Sequence, residues 1–396
     1  MNEKSISQAV ILAGGFGKRL FPLTKRMPKP LLKINNKSFI EYLFFNLSRH
    51  GFRKILILCS YKSEKFYNRY HKKKIYNVDI RCVRENEPLG TGGALLNAKS
   101  YLDDNFLLCN GDTYFDINLN DLCLDFIKKK RLFLIALSQS NKKRFGYFEV
   151  SKKNKIYFSL ETKKNNKNYH LNSGYYVVSK KVLKFFKKNC SLESDVFPIL
   201  ANKAMLFGKI YNNSSKKFLD IGVYNDFLKA EKFLTLVSKK PTIFLDRDGV
   251  INKDTGYVYK KKNFIWKKDI KKFIKKFNDS NYYIIVITNQ SGIGRGYYSE
   301  NDLFNLHNWI NDELRKNGAH IDKFYFAPHY KHSNYPKYRR NANLRKPQTG
   351  MIDSAFREWN IIKDKSIIYG NCMTDHLLAK KAGIRFRMVS FNKKIY

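Results

Sequence analysis

Short apolar runs alternate with amphipathic segments along most of this chain. Gln8 to Ala13, Lys54 to Cys59 and Phe106 to Asn110 are nearly unbroken apolar runs that end near a Gly, Asn or Ser, the pattern of strands buried on both faces. Phe39 to His50 instead carries its apolar residues at helical spacing. The alternation predicts a mainly parallel sheet wrapped by helices, with binding residues beyond the carboxyl ends of the strands. A second series starts at Thr242 to Leu245, continues through Tyr283 to Thr288 and reaches a late strand at Ser366 to Tyr369. Between the two series lie a closing helix, Ala230 to Val237, and a polar linker, Ser238-Lys239-Lys240-Pro241. The expectation is an α/β chain of two domains, residues 1–238 and 239–396. Tyr330 to Leu344 is polar, aromatic and without a strand pattern, and reads as a loop.

Composition adjusts this picture little. A chain of 396 residues can bury two separate cores, and 43% hydrophobic content is that of a folded protein. The formal net charge of +43 raises the question of nucleic acid. The lysines, however, are spread throughout and fall between apolar residues, as in Val182-Leu183-Lys184-Phe185-Phe186-Lys187-Lys188, and no nucleic-acid-binding motif accompanies them. No nucleic-acid partner is expected, although the field still draws anionic small molecules. The six cysteines show no CxxC pairing and lie mostly in apolar runs, as buried thiols of a reducing compartment do. A Gly-rich loop interrupts the apolar run near the N-terminus, and no stretch approaches a membrane span. The expected location is cytoplasmic, without a membrane partner.

Candidate chemistry sits at the strand ends. The first strand runs into Leu12-Ala13-Gly14-Gly15-Phe16-Gly17-Lys18-Arg19, where glycines let the backbone approach a triphosphate and present N–H donors. Arg19 follows, then Pro28-Lys29-Pro30, in which flanking prolines restrict the direction of the lysine. Glu87-Pro88-Leu89-Gly90-Thr91-Gly92-Gly93 and Asn110-Gly111-Asp112 come next, and Phe218-Leu219-Asp220 supplies a second carboxylate able to share a Mg²⁺ with Asp112.

This ordered set resembles the sugar-1-phosphate nucleotidyltransferases from about Gln8 to Lys232. The resemblance implies that Leu12, Gly14, Gly15 and Gly17 hold the NTP, with Glu87 and Gly92 beside the base. It makes Arg19 and Lys29 the phosphate-binding catalytic cations and Asp112 and Asp220 the Mg²⁺ ligands. Glu161, Asn172 and Gly174 would meet the sugar. Two positions depart from the family: Lys18 stands where Thr or Ser is usual, and Glu161-Thr162-Lys163 replaces an adjacent Glu-Lys pair.

In the second series Asp246-Arg247-Asp248-Gly249 closes a strand, offering a nucleophile and an acid/base two residues on. Thr288-Asn289-Gln290-Ser291-Gly292, Arg345-Lys346-Pro347 and Gly370-Asn371 follow in order, with Asp375 beyond. The series resembles the haloacid-dehalogenase-type phosphatases, in particular those acting on heptose 1,7-bisphosphate and histidinol phosphate. By that resemblance Asp246 is the nucleophile, Asp248 the acid/base, and Thr288 and Asn289 bind the phosphoryl group. Lys346 neutralises it, Arg295 or Arg345 reads the substrate, and Asp246, Asp248 and Asn371 hold Mg²⁺. Asn371 replaces the usual aspartate, so weaker Mg²⁺ binding is expected. Ala327-Pro328-His329 and Ala342-Asn343-Leu344 stand where that branch commonly has a zinc loop, so no structural zinc is expected.

Together the resemblances imply two Rossmann-like domains, an N-terminal nucleotidyltransferase mixed sheet and a C-terminal haloacid-dehalogenase-like sheet, with Mg²⁺ in both. They imply a bifunctional enzyme of GDP-D-glycero-D-manno-heptose synthesis for a bacterial surface glycan, using sugar phosphates and an NTP, GTP favoured. Homo-oligomerisation is left open. The alternative is a mannose-type hexose-1-phosphate nucleotidyltransferase fused to a degenerate phosphatase-like module.

Overall fold

The computed structural model describes residues 5–138, 147–151, 154–157, 169–211, 217–339 and 342–389. Contacts divide the chain into two units, Met1–Leu234 and Thr235–Tyr396, so the division falls within the helix Ala230–Ser238. Among the described residues no helix is long and apolar enough to cross a membrane.

The first unit opens with β1 (Gln8–Leu12), β2 (Lys33–Ile34), β3 (Lys37–Ser38), β4 (Lys54–Cys59), β5 (Lys73–Ile75), β6 (Val78–Arg84) and β7 (Asn105–Asn110). There follow β8 (Thr113–Phe115), β9 (Phe133–Ser138), β10 (Tyr147–Val150), β11 (Ile156–Tyr157), β12 (Tyr169–Ser179), β13 (Leu206–Tyr211) and β14 (Phe218–Asp220). The main sheet runs β11-β10-β12-β7-β1-β4-β6-β5, with β9 on β12 and β13 on β9. Its centre, β7-β1-β4-β6, is parallel, while β12 joins β7 antiparallel, making the sheet mixed. The parallel core follows from the unbroken apolar runs: Val10, Ile57 and Leu108 are essentially inaccessible. The helix Phe39–Arg49 buries Phe39, Ile40, Leu43, Phe44 and Leu47, the stripe its spacing predicts. From β1 the chain steps outward to β4 and β6, then returns to lay β7 on the other side of β1. That reversal opens a crevice beyond the carboxyl ends of β1 and β7.

The second unit carries β15 (Thr242–Leu245), β16 (Tyr283–Asn289), β17 (Lys323–Ala327), β18 (Ile367–Gly370) and β19 (Arg385–Met388), in the all-parallel order β17-β16-β15-β18-β19. Here too the order reverses around the first strand, with β16 on one side of β15 and β18 on the other. Beyond the strands expected from the pattern, the structure adds β17, β19 and the helices Ile270–Asp279 and Glu300–Arg315. Local signals for both helices exist: apolar Ile270, Phe273, Ile274 and Phe277 at helical spacing, and Ser299 with Asp302 forming a capping box. The stretch Tyr330 to Leu344 holds two short 3-10 turns, at Pro336–Tyr338 and Ala342–Leu344, and no strand among the described residues. Tyr338 is buried there and donates its hydroxyl to Glu300.

Candidate active sites

The first crevice is a cleft of about 320 Å³ lined by the β1 loop from Leu12 to Phe16, Lys29, Glu85, Gly90, Thr91, Asn110, Asp112 and Glu193 among others. Gly17 ends the loop at φ 65, a conformation open to glycine, and an added Cβ there would press on Thr24. The Pro28-Lys29-Pro30 segment forms a 3-10 turn that sends Lys29 Nζ to within 2.6 Å of Asp112 Oδ2. Asp112 is brought opposite Asp220 by a short antiparallel pairing, in which Asp220 of β14 faces Thr113 of β8. Burial, then the nearby Asp112 carboxylate, raises Asp220 to about 6, against the opposing pull of the Gly222 N–H, Lys29 and Arg19. Two carboxylates repelling each other in a half-buried crevice, next to Lys29 and Arg19, are a donor set that fits a hard divalent cation.

Several residues expected here fall outside the cleft wall. Glu87 is exposed and pairs with Lys188 at 3.0 Å, whereas Glu85, two residues earlier, is buried in the cleft wall. Burial raises Glu85, and its Oε2 accepts the Leu89 N–H at 3.1 Å. Gly92 packs against Cys190, which a Cβ would strike, so Gly90 and Thr91 take the cleft wall instead. Arg19 is exposed beside Asp220 and Gly222. Asn172 and Gly174 sit where the pairing of β12 with β9 is irregular, Asn172 accepting from the Gly174 N–H and donating to Tyr176. Glu161 lies outside the described residues. No motif spacing singled out Glu85, Ser60 or Glu193, because the packing of three separate segments brings them together.

The second crevice is a cavity of about 420 Å³ whose wall includes Asp246, Asp248, Thr288, Asn289, Lys346 and Asn371. The Asp246 N–H still bonds Tyr369 O of β18, and the chain turns directly afterwards: the Val250 and Ile251 N–H groups return to Arg247 O, and Gly249 at φ 83 lies against Asn371, leaving no room for a side chain. Lys346, almost wholly buried, bridges Asp246 Oδ1 at 2.9 Å and Asp375 Oδ1 at 2.7 Å. Burial raises Asp246 to about 6, and Asp375 adds to this while Lys346 opposes it. For Lys346 burial acts downward, yet the two carboxylates prevail and raise it. Asn289 fixes the lysine's backbone, accepting the Lys346 N–H at 3.0 Å and donating to its carbonyl.

Asp248 is held by residues the motif reading did not assign. Arg247, fully buried, donates to both its oxygens at 2.8 and 2.9 Å, Asn252 donates at 2.9 Å, and Gln290 donates at 2.9 Å. Asp375 Oδ2 caps the backbone N–H groups of Asn371 and Cys372 and accepts from the Cys372 thiol. Asp246, Cys372 and Asp375 form the compact donor group here, with Asn371 beside them in the cavity wall. Lys346 bridges both carboxylates of this set and its third donor is a thiol, so it fits a hard cation less well than the first. Arg295 is exposed and stacks on Tyr330 at 3.7 Å, and Arg345 is exposed and reaches His329 O, both outside the cavity wall. His329 is buried, and burial, then Arg345, lowers its pKa.

Comparison with known proteins follows the two units. Residues 8–236 match the family described as nucleotidyl transferase, and residues 242–387 the one described as polynucleotide kinase 3 phosphatase. The chain is 33% identical over 226 residues to a D-glycero-alpha-D-manno-heptose 1-phosphate guanylyltransferase of Campylobacter jejuni, covering 56% of this chain and 96% of that one. It is 40% identical over 146 residues to a D-glycero-beta-D-manno-heptose-1,7-bisphosphate 7-phosphatase of Rhodopseudomonas palustris, covering 37% of this chain and 81% of that one. Among solved structures, HddC from Yersinia pseudotuberculosis is 30% identical with a TM-score of 0.50, covering 58% of this chain and all of that one. The mixed sheet is thus of the nucleotidyltransferase type, and the parallel sheet of the haloacid-dehalogenase type.

Proposed function

We propose that this chain, which belongs to the nucleotidyl transferase family and joins to it a phosphatase of the heptose-bisphosphate kind, carries out two consecutive steps of nucleotide-activated heptose synthesis. The second unit removes the 7-phosphate of D-glycero-D-manno-heptose 1,7-bisphosphate. The first unit then transfers GMP from GTP to the remaining 1-phosphate and releases pyrophosphate. The observation that carries this is the presence in one chain of both crevices, a glycine-loop cleft with Lys29 and an Asp246–Lys346 cavity, each at the reversal point of its sheet. The product expected of one is the substrate expected of the other.

In the transferase cleft a sugar 1-phosphate oxygen attacks the α-phosphorus, and the bond to pyrophosphate breaks. Here the glycine loop, Arg19 and Lys29 orient and neutralise phosphate charge, the main contribution such a site can make. Mg²⁺, which enzymes of both kinds generally use, would be held by Asp112 and Asp220 and would supply further charge neutralisation. Glu85 supports guanine: a carboxylate offers two acceptors to the N1–H and N2–H₂ donors of that base, and uracil or thymine has no such pair.

In the phosphatase cavity Asp246 attacks phosphorus, forming an aspartyl-phosphate as the sugar C7 oxygen leaves with a proton from Asp248. Water activated by Asp248 then releases phosphate. Thr288 and Asn289 bind the phosphoryl oxygens, and Lys346 balances their charge. Asp246 and Asn371 would hold Mg²⁺ here, which would offset phosphoryl charge. The two units must agree on one anomer; we favour α, the one in the name of the guanylyltransferase relative, although the phosphatase relative is named for β.

The test is incubation of the chain with each anomer of heptose 1,7-bisphosphate, GTP and Mg²⁺, with product identified by mass. GDP-heptose and phosphate from the α anomer are expected. Asn371 motivates the second reading, a transferase with an inert phosphatase-like unit. Nucleotide-sugar formed from supplied heptose or mannose 1-phosphate, without phosphate release from the bisphosphate, would establish that reading instead.

A further inference from the structure

The polar groups in the wall of the phosphatase cavity form a chain with one direction. Asp248 accepts from Arg247, Asn252 and Gln290, because an ionised carboxylate has only acceptors to offer them. The Gln290 amide must therefore present Nε2 to the carboxylate, which it does at 2.9 Å. The second Nε2 hydrogen goes to Thr288 Oγ1, also at 2.9 Å. Since the amide has spent both hydrogens, its Oε1 can only accept, and it accepts from the buried Tyr298 hydroxyl. Thr288 Oγ1 accepts from the amide, so its own proton is free for a phosphoryl oxygen in the cavity both residues line.

We propose that Tyr298 and Gln290 are positioning residues for the phosphatase reaction, the phenol setting the amide so that Gln290 aims Asp248 and the Thr288 hydroxyl at once. The inference rests on the phosphatase reading above. Tyr298 is suited to the task because its ring is fixed independently, stacked on Tyr259 at 4.8 Å with an angle of 11° and packed with Ile293, Leu303 and Tyr338. Without the phenol's proton Oε1 loses its partner and only Asp248 and Thr288 still hold Nε2 forward, while the turned-over form would set Oε1 against the Asp248 carboxylate. Asp248 and Thr288 would then lose their common donor, with no change to either residue itself.

The variant that isolates the hydrogen bond is Tyr298→Phe, which keeps the ring and its packing. The expected result is a fall in kcat for phosphate release of about tenfold or more, with KM held within about twofold, as positioning of reacting groups predicts. Guanylyl transfer by the same preparation should be unchanged and reports that the protein is intact. In a Tyr298→Phe, Gln290→Ala double variant the losses should not multiply, because both changes remove one relay. A wild-type kcat in Tyr298→Phe overturns the relay, as does a double variant whose loss equals the product of the single losses. Absence of Asp246-dependent phosphate release in the wild-type chain overturns the phosphatase reading, and the relay with it.

Discussion

The two crevices arise from the same topological reversal but treat charge in opposite ways. In the cleft after β1, Asp112 and Asp220 face each other with Lys29 on one of them, and burial with mutual repulsion raises Asp220 to about 6. In the cavity after β15, almost every charge is already answered within the protein: Lys346 lies between Asp246 and Asp375, and Asp248 is ringed by Arg247, Asn252 and Gln290. The difference follows from who brings the reacting groups. When nucleophile and leaving group both belong to the ligands, the protein supplies an open, polarised cradle for charge that arrives with them. When the protein supplies the nucleophile and the acid/base, those groups must be aimed in advance by neighbours that satisfy them.

The sharpest way to break the comparison is to disable one crevice and measure the other. Asp246→Asn should reduce phosphate release from the bisphosphate by on the order of 10⁴-fold or more, as loss of a nucleophile does. Guanylyl transfer to supplied heptose 1-phosphate should persist in that variant. Lys29→Ala should do the reverse, lowering transfer by about 10²- to 10³-fold, the usual loss for a group that stabilises transition-state charge. If either change lowers both activities equally in initial-rate assays, the two sites are not independent.

A smaller effect is expected from Glu85→Gln, which replaces one acceptor in the cleft with a donor. The preference for GTP over UTP in pyrophosphate-release assays should fall by at least about tenfold, the scale of an unpaired buried hydrogen-bonding group. An unaltered preference would remove Glu85 from base recognition. Asn371→Asp tests the opposite weakness by adding a negative charge to the cavity wall. The Mg²⁺ concentration giving half-maximal phosphate release should then drop several-fold, read from a metal titration.

The gentlest expected effect is one of pH. Asp220 is raised in the folded protein from 3.8 to about 6, so its stabilising contribution is complete below 3.8 and is lost as pH climbs through about 6. Mg²⁺ needs the ionised carboxylates, so its stabilisation should grow over the same interval. Thermal unfolding should show a larger Mg²⁺-induced rise in Tm at pH 7.5 than at pH 5, a few degrees in size. The Asp220→Asn variant should flatten that difference.

How far these features were readable in advance depended on their range. The buried strands β1, β4, β7, β15 and β16 announce themselves as unbroken apolar runs, because a parallel strand covered on both faces needs no polar side. The glycine loop and the Asp246 turn are equally local, since positive φ and close backbone approach demand glycine at Gly17 and Gly249. By contrast the expectation for Glu87 passed over Glu85, since nothing in Glu85-Asn86-Glu87 tells which carboxylate turns inward. The path of the chain leaving β6 decides that, sending one to the cleft and the other to Lys188. The resemblance put Arg295 or Arg345 at the substrate, and neither lines the cavity, Arg295 lying on Tyr330 and Arg345 reaching His329 O.

The amino-acid sequence alone therefore determined the two-part α/β plan, the position of each crevice along the chain and the chemical type of its leading residues. These are properties of short segments, governed by hydrophobic period, backbone freedom and the residue types that phosphate chemistry requires. Only the tertiary structure decided which charges are paired before any ligand arrives. Asp112 meets Asp220 through a pairing of β8 with β14, and Lys346 reaches Asp246 and Asp375 from a loop far away in sequence. Such couplings depend on distances of a few ångströms between remote segments, a scale on which Coulomb energy and hydrogen bonding change steeply and sequence spacing carries no information.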